Sequence, residues 1–231
     1  MPGDPQAPQH SAADYYERIA TAYRADRFGN SYGRFIDAEE RRWLQATLPA
    51  RPPGLVLDLA CGDGRFSDHA DVGIDLAAGM LRLARDAHPD RGFARADATA
   101  WPIGDATLAG VFCFHLAMHL RDDQLRMLFA EAARCLTPGG LLLIDVPGRL
   151  RRRLRPHRSD IAGWHGHSAH DLGELRRMAP LFTIESARGM LMLPLHRVPV
   201  RWRPLCARLD RALCRLLRPL ASYQLIALRR T

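Results

Sequence analysis

The sequence predicts an α/β fold in which a doubly wound, mainly parallel sheet of seven strands carries helices on both faces. Two observations and one general rule support this prediction. Seven short apolar segments alternate with segments whose apolar residues recur at helical spacing. A glycine-rich turn follows the first apolar segment. Strands that alternate with helices along a chain usually pair in parallel, because each helix returns the chain to the same edge of the sheet.

Each element is placed by its own pattern. The predicted strands are segments 55–59, 72–76, 92–96, 108–114, 141–146, 182–188 and 223–229. The predicted helical segments lie near 14–48, 64–70, 77–88, 122–136, 169–178 and 202–217. Folds of this class bind ligands at the carboxyl ends of the strands, where the strand order reverses. We therefore expect the functional residues in the loops that follow the first four strands.

Length and composition fit one large domain. The chain has 231 residues, and 47% of them are hydrophobic, which is enough for a packed core. No apolar run reaches the 18 or so residues of a membrane span, and residues 1–13 are polar and proline-rich rather than a secretory signal. We expect a flexible N-terminus over 1–13, a single domain over 14–231, and a cytoplasmic location.

Charge is distributed unevenly along the chain. All 33 basic residues are arginines, and residues 1–148 hold 15 of them against 20 acidic residues. Residues 149–231 hold 18 arginines against 5 acidic residues. The run 149–158, which begins at Arg149, is either a solvated face or a surface for an anionic acceptor or a membrane.

The strongest motif is the turn after the first predicted strand. Asp58 lies on that strand, and Gly62 and Gly64 follow, so the backbone can approach a ligand where no Cβ intervenes. Asp75 ends the second strand, where a carboxylate can accept hydrogen bonds from both hydroxyls of a ribose. These features suit a nicotinamide dinucleotide and S-adenosylmethionine alike, although Ser67 replaces the third glycine of a dinucleotide motif.

Two later features separate these cofactors. Asp97 closes the third strand and is followed by Trp101 and Pro102, an arrangement in which an acid accepts from an adenine amino group beside apolar cover. A predicted helix end, tight turn and buried strand follow over residues 136–144, with the turn sequence Leu-Thr-Pro-Gly-Gly.

This series of motifs resembles the class I S-adenosylmethionine-dependent methyltransferases, small-molecule branch, whose fold is Rossmann-like. The resemblance covers residues 14–148 well and the remainder loosely. Many members have glycine where this chain has Ala60, a change that costs little if the φ of that residue is negative. The resemblance implies S-adenosylmethionine as the cofactor. The residues that it implies for cofactor binding are Tyr15, Asp58, Ala60, Gly62, Gly64, Asp75, Leu76, Asp97, Ala98 and His115.

The resemblance also implies a division of the domain and an activity. Residues 14–48 would form a helical cap, 54–148 the cofactor-binding core, and 149–231 a basic region on the substrate side with the last strands. We expect methyl transfer to a small-molecule or lipid-linked acceptor, most simply at oxygen, with His119 as a base. Arg149, His165 and His167 are candidate acceptor ligands. We expect no metal site, because no acid accompanies the histidines of segment 164–170.

Other functions remain open at this stage. An RNA methyltransferase would use the basic third of the chain, but no RNA-binding module is evident, so a nucleic acid is not the favoured partner. A non-catalytic module with the same fold is disfavoured, because it would not need to keep the glycines of the turn and the three acids Asp58, Asp75 and Asp97. A nicotinamide dehydrogenase is disfavoured by Ser67 and by Asp58. Peripheral contact with a membrane stays open through the leucine- and arginine-rich segment 201–218, and the oligomeric state is not predicted.

Overall fold

The computed structural model describes residues 12–154 and 168–231. The strands are β1 (Leu55–Leu59), β2 (Val72–Asp75), β3 (Gly92–Arg95), β4 (Leu108–Cys113), β5 (Leu136–Pro147), β6 (Phe182–Met190) and β7 (Tyr223–Arg230). The helices are α1 (Ala12–Phe28), α2 (Ser31–Thr47), α3 (Ala78–Ala87), α4 (Asp122–Cys135), α5 (Arg149–Leu154), α6 (Leu172–Met178) and α7 (Arg203–Leu216). Among these residues, no helix has the length and apolar character needed to cross a membrane.

The seven described strands form one sheet in the order β3-β2-β1-β4-β5-β7-β6. Strands β1 to β5 are parallel to one another, and β7 runs antiparallel between β5 and β6. The chain moves outward from β1 to β3 and then returns to place β4 on the other side of β1. The strand order therefore reverses between β1 and β4, and the predicted doubly wound, mainly parallel sheet is confirmed.

Helices cover both faces of this sheet. Leu57 and Val111 point to the face covered by α4 and α6, where Leu125 and Leu175 pack against them in one apolar cluster. Their neighbours along the strands point to the opposite face, where α2 and α7 lie. Alternate side chains of a strand project to opposite faces, so a strand that is buried on both sides carries a continuous apolar run. Strand β4 is buried along its whole length for this reason.

The predicted helix over 64–70 is wrong. The structure has only a single 3₁₀ turn there, Ser67–His69, before β2 begins at Val72. Few residues separate the glycine turn from β2, which leaves no room for a longer helix. Just before β2, the side chain of Asp71 accepts a hydrogen bond from the backbone N–H of Val56 at 2.9 Å, which ties this segment to β1. Helix α2 covers this part of the sheet instead, because Trp43 joins the same apolar cluster as Phe66.

The predicted turn over 136–140 is part of a strand. Strand β5 begins at Leu136, directly after α4 ends at Cys135. Pairing with β4 shifts between Leu108 and Gly110, so the chain bulges through Gly139, whose φ is 78°. The glycines thus provide a bulge inside the strand and not a loop before it.

The N-terminal helical segment consists of two helices rather than one. Helix α1 ends at Phe28, and the side chain of Asn30 accepts from the backbone N–H groups of Tyr32 and Gly33 to cap α2. Helix α1 packs against α3 through Ala20 and Met80. Residues 1–11 of the predicted flexible segment lie outside the described residues, and α1 already begins within that segment.

Candidate functional site

A cavity of about 430 Å³ lies at the carboxyl ends of β1 and β4, where the strand order reverses. This is the position at which doubly wound sheets bind their ligands. Most of the residues predicted from the sequence line it together. They are Asp58, Ala60, Gly62, Asp75, Leu76, Asp97, Ala98, His115 and His119.

The turn after β1 forms the wall of the cavity through its backbone. Gly62 has a φ of 56°, and a Cβ built there would meet no atom within 4 Å, so the open side of this residue faces free space. Gly64 has a φ of 80° and lies against Ala84 of α3, away from the lining. Ala60 has a φ of 56°, which corrects the expectation of a negative value. An alanine in this region costs roughly 1–2 kcal/mol.

Asp75 is held in one orientation by the backbone. Its two carboxylate oxygens accept from the N–H groups of Gly62 and Ala77, both at 2.8 Å. Each oxygen keeps a second lone pair. The carboxylate can therefore still accept hydrogen bonds from the two hydroxyls of a ribose. Burial raises the pKa of this carboxyl above its ordinary value, although these backbone hydrogen bonds lower it.

Asp58 is a second buried acid of the cavity. Its side chain accepts from the hydroxyl of Ser67 at 3.4 Å. Burial raises its pKa well above the ordinary value, and Asp75 adds to the effect by charge repulsion. A cationic ligand relieves such a repulsion. S-adenosylmethionine carries a positive sulfonium, so the acceptor carboxylates, the open backbone and the charge of this cavity fit the cofactor that the sequence predicts.

Asp97 lies at the exposed rim of the cavity. One carboxylate oxygen accepts from the backbone and hydroxyl of Thr99, at 2.8 and 2.6 Å. Trp101 does not line the cavity: it is buried in the core, and its indole N–H donates to the carbonyl of Ala98 at 2.8 Å. Trp101 therefore does not supply the apolar cover that the sequence predicts; its hydrogen bond holds Ala98, which does line the cavity.

His115 lies between two carboxylates at the end of β4. Its Nε2 is 2.8 Å from Glu40 Oε1, and its Nδ1 is 3.5 Å from Asp145 Oδ2. Its backbone N–H donates to the other oxygen of Asp145 at 2.6 Å and supports a φ of 60°. Burial alone raises the pKa of Glu40, but the positive charges of His115 and Arg65 outweigh it and lower that pKa to about 2.

The three groups also have the spacing of metal ligands. Donor atoms of Glu40, His115 and Asp145 all lie within 4.8 Å of one another. The guanidinium of Arg65 is 2.8 Å from Glu40 and supplies the positive charge that a metal ion would bring. We therefore interpret the cluster as an ion-paired network that fixes the imidazole at the cavity wall.

Helix α1 covers the cavity with tyrosines. Tyr16 and Tyr23 line it, whereas the predicted Tyr15 stands beside Tyr16 with ring centroids 5.5 Å apart and does not line it. The hydroxyl of Tyr16 lies 3.5 Å from Nε2 of His119. Arg24 anchors the helix to the glycine turn by donating to the carboxylate of Asp63 at 2.6 Å.

Of the predicted acceptor ligands, only Arg149 lies within the described residues, and it does not line the cavity. Arg149 forms ion pairs with Glu174 and Asp171 on the side of α6. His165 and His167 lie outside the described residues. Sequence reasoning missed several polar groups of the site: Glu40, Asp63, Arg65 and Asp145. Of these four residues, only Glu40 could have been found from the sequence pattern, because it is an acid on the apolar face of α2.

Comparisons with known proteins agree with this geometry. A family model described as a methyltransferase domain matches residues 57–144. A trans-aconitate 2-methyltransferase of Rhodopseudomonas palustris is 30% identical over 201 residues, which cover 80% of this chain and 71% of that protein. A demethylmenaquinone methyltransferase of Beutenbergia cavernae is 32% identical over 145 residues, which cover 58% of this chain and 57% of that protein. Across such relatives the matches span 48% to 71% of their length.

Solved structures share the fold. An S-adenosylmethionine-dependent methyltransferase from Mesorhizobium loti is 24% identical with a TM-score of 0.62, covering 85% of this chain and 100% of that one. A geranyl diphosphate methyltransferase is 19% identical with a TM-score of 0.63, covering 95% and 98%. Sequence, fold and relatives thus agree, and the chain belongs to the class I S-adenosylmethionine-dependent methyltransferases, with S-adenosylmethionine as its cofactor.

Proposed function

We propose that this methyltransferase methylates an oxygen of a small acceptor that carries a carboxylate or phosphate group. The observation that carries the proposal is Arg27, a cation that does not itself line the cavity but interacts electrostatically with Tyr16 and Tyr23, which do. The names of the relatives support it, because trans-aconitate, which several of those names contain, is a small polyanion.

Arg27 faces the same way as the tyrosines of the cavity. It follows Tyr16 and Tyr23 by eleven and four residues, a spacing that places all three on one face of α1. Burial lowers the pKa of Arg27, but the hydroxyls of Tyr223, Tyr23, Tyr16 and Tyr32 raise it above its ordinary value. Within the described residues Arg27 forms no ion pair, and solvent reaches its side chain. An acceptor anion would supply the missing partner.

Tyr223 connects this cation to the wall of the cavity. It begins β7, and its ring centroid lies 5.9 Å from that of His115. Burial raises the pKa of its hydroxyl to about 12, so the hydroxyl stays protonated and can donate to an anion. Arg27 and Arg152 both act on this hydroxyl electrostatically. Arg152 is therefore the residue of the predicted basic run that we assign to the acceptor, in place of Arg149.

We assign the cofactor to the other part of the cavity. Asp75 would hold the ribose, Asp97 the adenine amino group, and Gly62 would leave room for the cofactor chain. S-adenosylmethionine supplies an electrophilic methyl group on its sulfonium sulfur. The protein then mainly has to align the acceptor oxygen with that methyl group, and such positioning contributes roughly 7–11 kcal/mol.

His119 is the group that we assign to proton transfer. Its imidazole would accept the proton of an acceptor hydroxyl, which contributes typically about 10²–10⁴-fold in rate. The Tyr16 hydroxyl, 3.5 Å from Nε2, would orient the ring. Burial raises the pKa of Tyr16, so its hydroxyl remains a donor throughout the neutral range.

The test is methyl transfer from labelled S-adenosylmethionine to hydroxylated acceptors that differ only in charge. We expect transfer to hydroxy acids and hydroxy phosphates and much less to their amides. Arg27→Gln should raise the acceptor KM about ten- to a hundred-fold, because a charge-assisted hydrogen bond is lost, with the affinity for S-adenosylhomocysteine unchanged.

Arg18→Gln is the matched control, since Arg18 is an exposed arginine of the same helix. It should leave the KM as in the wild type. Equal kcat/KM for the acids and their amides, together with an unchanged KM in Arg27→Gln, would contradict the proposal that the enzyme recognises an anionic group on its acceptor.

A further inference from the structure

Helix α7 buries one side and leaves the other in solvent. Its buried residues are Ala207, Asp210 and Cys214, which recur at intervals of three and four and face the sheet. In a helix that packs one face on the protein and exposes the other to solvent, the exposed face is expected to be polar. In α7 it is apolar.

The exposed side carries a stripe of large apolar residues. Trp202, Leu205, Leu209 and Leu216, together with Ala212, follow one another at intervals of three and four and therefore lie along one line of the helix. Leu216 is 80% exposed, Leu205 is 60% exposed, and the other two large residues are about half exposed. Single exposed leucines are ordinary, but an aligned set of this kind marks a surface that meets another apolar phase.

Arginines border this stripe on one side. Arg201, Arg208 and Arg215 are spaced seven residues apart, so they also share one line of the helix, and all three are exposed. In the described ranges none of the three is ion-paired. The acid of the helix, Asp210, is buried and accepts from the backbone N–H groups of Met192 and Leu193 at 2.8 and 2.6 Å.

The same character continues onto the neighbouring helix. The turn Arg218–Leu220, which follows α7, contacts α5. Helix α5 exposes Leu154 at 62% and the adjacent Arg153. Exposed leucines and arginines are thus present on both α7 and the helix that its following turn contacts.

We propose that this outer face of α7 binds the surface of an anionic lipid bilayer. A helix with Trp and Leu on one side, flanked by arginines, has the composition of helices that lie in the plane of a membrane interface. Leucines and Trp202 would enter the boundary between headgroups and acyl chains, and the arginines would pair with lipid phosphates. A positively charged apolar face opposes self-association by charge repulsion, which favours the anionic bilayer over a second copy of the chain.

The test is co-sedimentation of the full chain with vesicles. We compare vesicles of phosphatidylcholine alone with vesicles that also contain phosphatidylglycerol. The wild type should bind the anionic vesicles at least tenfold more tightly, and salt should weaken binding because charges are screened beyond about 10 Å at 0.1 M. Leu205→Ser with Leu209→Ser should lower the affinity at least tenfold, and so should the joint change of Arg201, Arg208 and Arg215 to Gln.

The matched control changes three other exposed arginines, Arg82, Arg126 and Arg176, to Gln and so alters the net charge equally. This control should bind as the wild type does. Equal binding of the leucine variant would overturn the proposal. A second result would also overturn it: the wild type binds neither kind of vesicle and sediments in ultracentrifugation as a dimer, whereas the leucine variant sediments as a monomer. Methyl transfer to a water-soluble acceptor should be the same in all variants, so this test is independent of the proposed acceptor.

Discussion

At the scale of single residues, Ala60 and His115 hold a left-handed backbone without being glycine. Their φ values are 56° and 60°, and both residues line the cavity. Strain of this kind, roughly 1–3 kcal/mol for each residue, persists only where the surroundings fix it. For His115 the fixing groups are the two carboxylates of Glu40 and Asp145. Two of the four described non-glycine residues with positive φ therefore lie at this site, and the other two, Ala106 and Leu191, lie outside the cavity.

His119 tests the assignment of proton transfer. His119→Ala should lower kcat at least about tenfold and leave the affinity for S-adenosylhomocysteine nearly unchanged, because the residue would act on the acceptor and not on the cofactor. The acidic limb of the rate profile should disappear with the imidazole, which ordinarily titrates at about pH 6.5. The measurement is kcat as a function of pH for the wild type and the variant.

Two further experiments distinguish a base from an anchor. His119→Gln keeps a hydrogen-bonding group but offers no base, so it should remain slow. Free imidazole added to the Ala variant should restore part of the rate. A Gln variant with full kcat and the wild-type pH profile would show that alignment alone drives the reaction.

At the scale of elements, α2 replaces a helix that the sequence predicts over 64–70. Seven residues are too few for periodicity to distinguish a helix from a turn. Helix α2 has a clear apolar face, yet Glu40 lies on that face and is fully buried. Through its ion pairs with Arg65 and His115, Glu40 ties α2 to the glycine turn and to the end of β4.

Glu40→Gln should therefore destabilise the fold. Removing one partner of a buried ion pair costs about 3–5 kcal/mol. The folded-state pKa of Glu40 is about 2, below its ordinary 4.5, so its ionisation stabilises the fold fully above pH 4.5 and this contribution is lost as the pH falls through about 2. Urea unfolding of the wild type and the variant should show the largest difference at neutral pH and a shrinking difference below pH 4.5.

Glu131→Gln is the matched control for this experiment. Glu131 forms a partly exposed ion pair with Arg134 within α4, and the loss of such a pair costs about 0–1 kcal/mol. A Glu40 variant that unfolds at the same urea concentration as the Glu131 variant would contradict the role of the buried network.

The strands were the elements most accessible to sequence analysis. Each predicted strand is present, and β1 has the predicted bounds, because buried strands of a parallel sheet carry continuous apolar runs. Strand β5 begins five residues earlier than predicted, since the sequence Thr-Pro-Gly-Gly reads as a loop. Its bulge forms only because β4 lies beside it, and pairing between distant strands is not encoded in local pattern.

At the scale of the whole molecule, the residues that we assign to the cofactor were predictable from the sequence, and those that we assign to the acceptor were not. Residues such as Asp58, Gly62 and Asp75 lie within motifs of fixed spacing, which local sequence reveals. Arg27, Asp145 and Tyr223 come from three distant segments and meet only in the folded chain. The charge of the basic third predicted an anionic partner but not where that partner binds. Arg149 forms an ion pair with Glu174. In α7, Arg208 and Arg215 are exposed, whereas Arg211 pairs with the buried Glu39.

The most direct test of the central claim, that this cavity holds S-adenosylmethionine with Asp75 on the ribose, is calorimetric titration with S-adenosylhomocysteine. The wild type should bind it, and Asp75→Ala should remain folded and bind about ten- to a hundred-fold more weakly, since a charge-assisted hydrogen bond contributes roughly 1.5–3 kcal/mol. Asp105→Ala, at an exposed acid outside the cavity, should bind as the wild type does. Equal affinity of the Asp75 variant and the wild type would contradict the account.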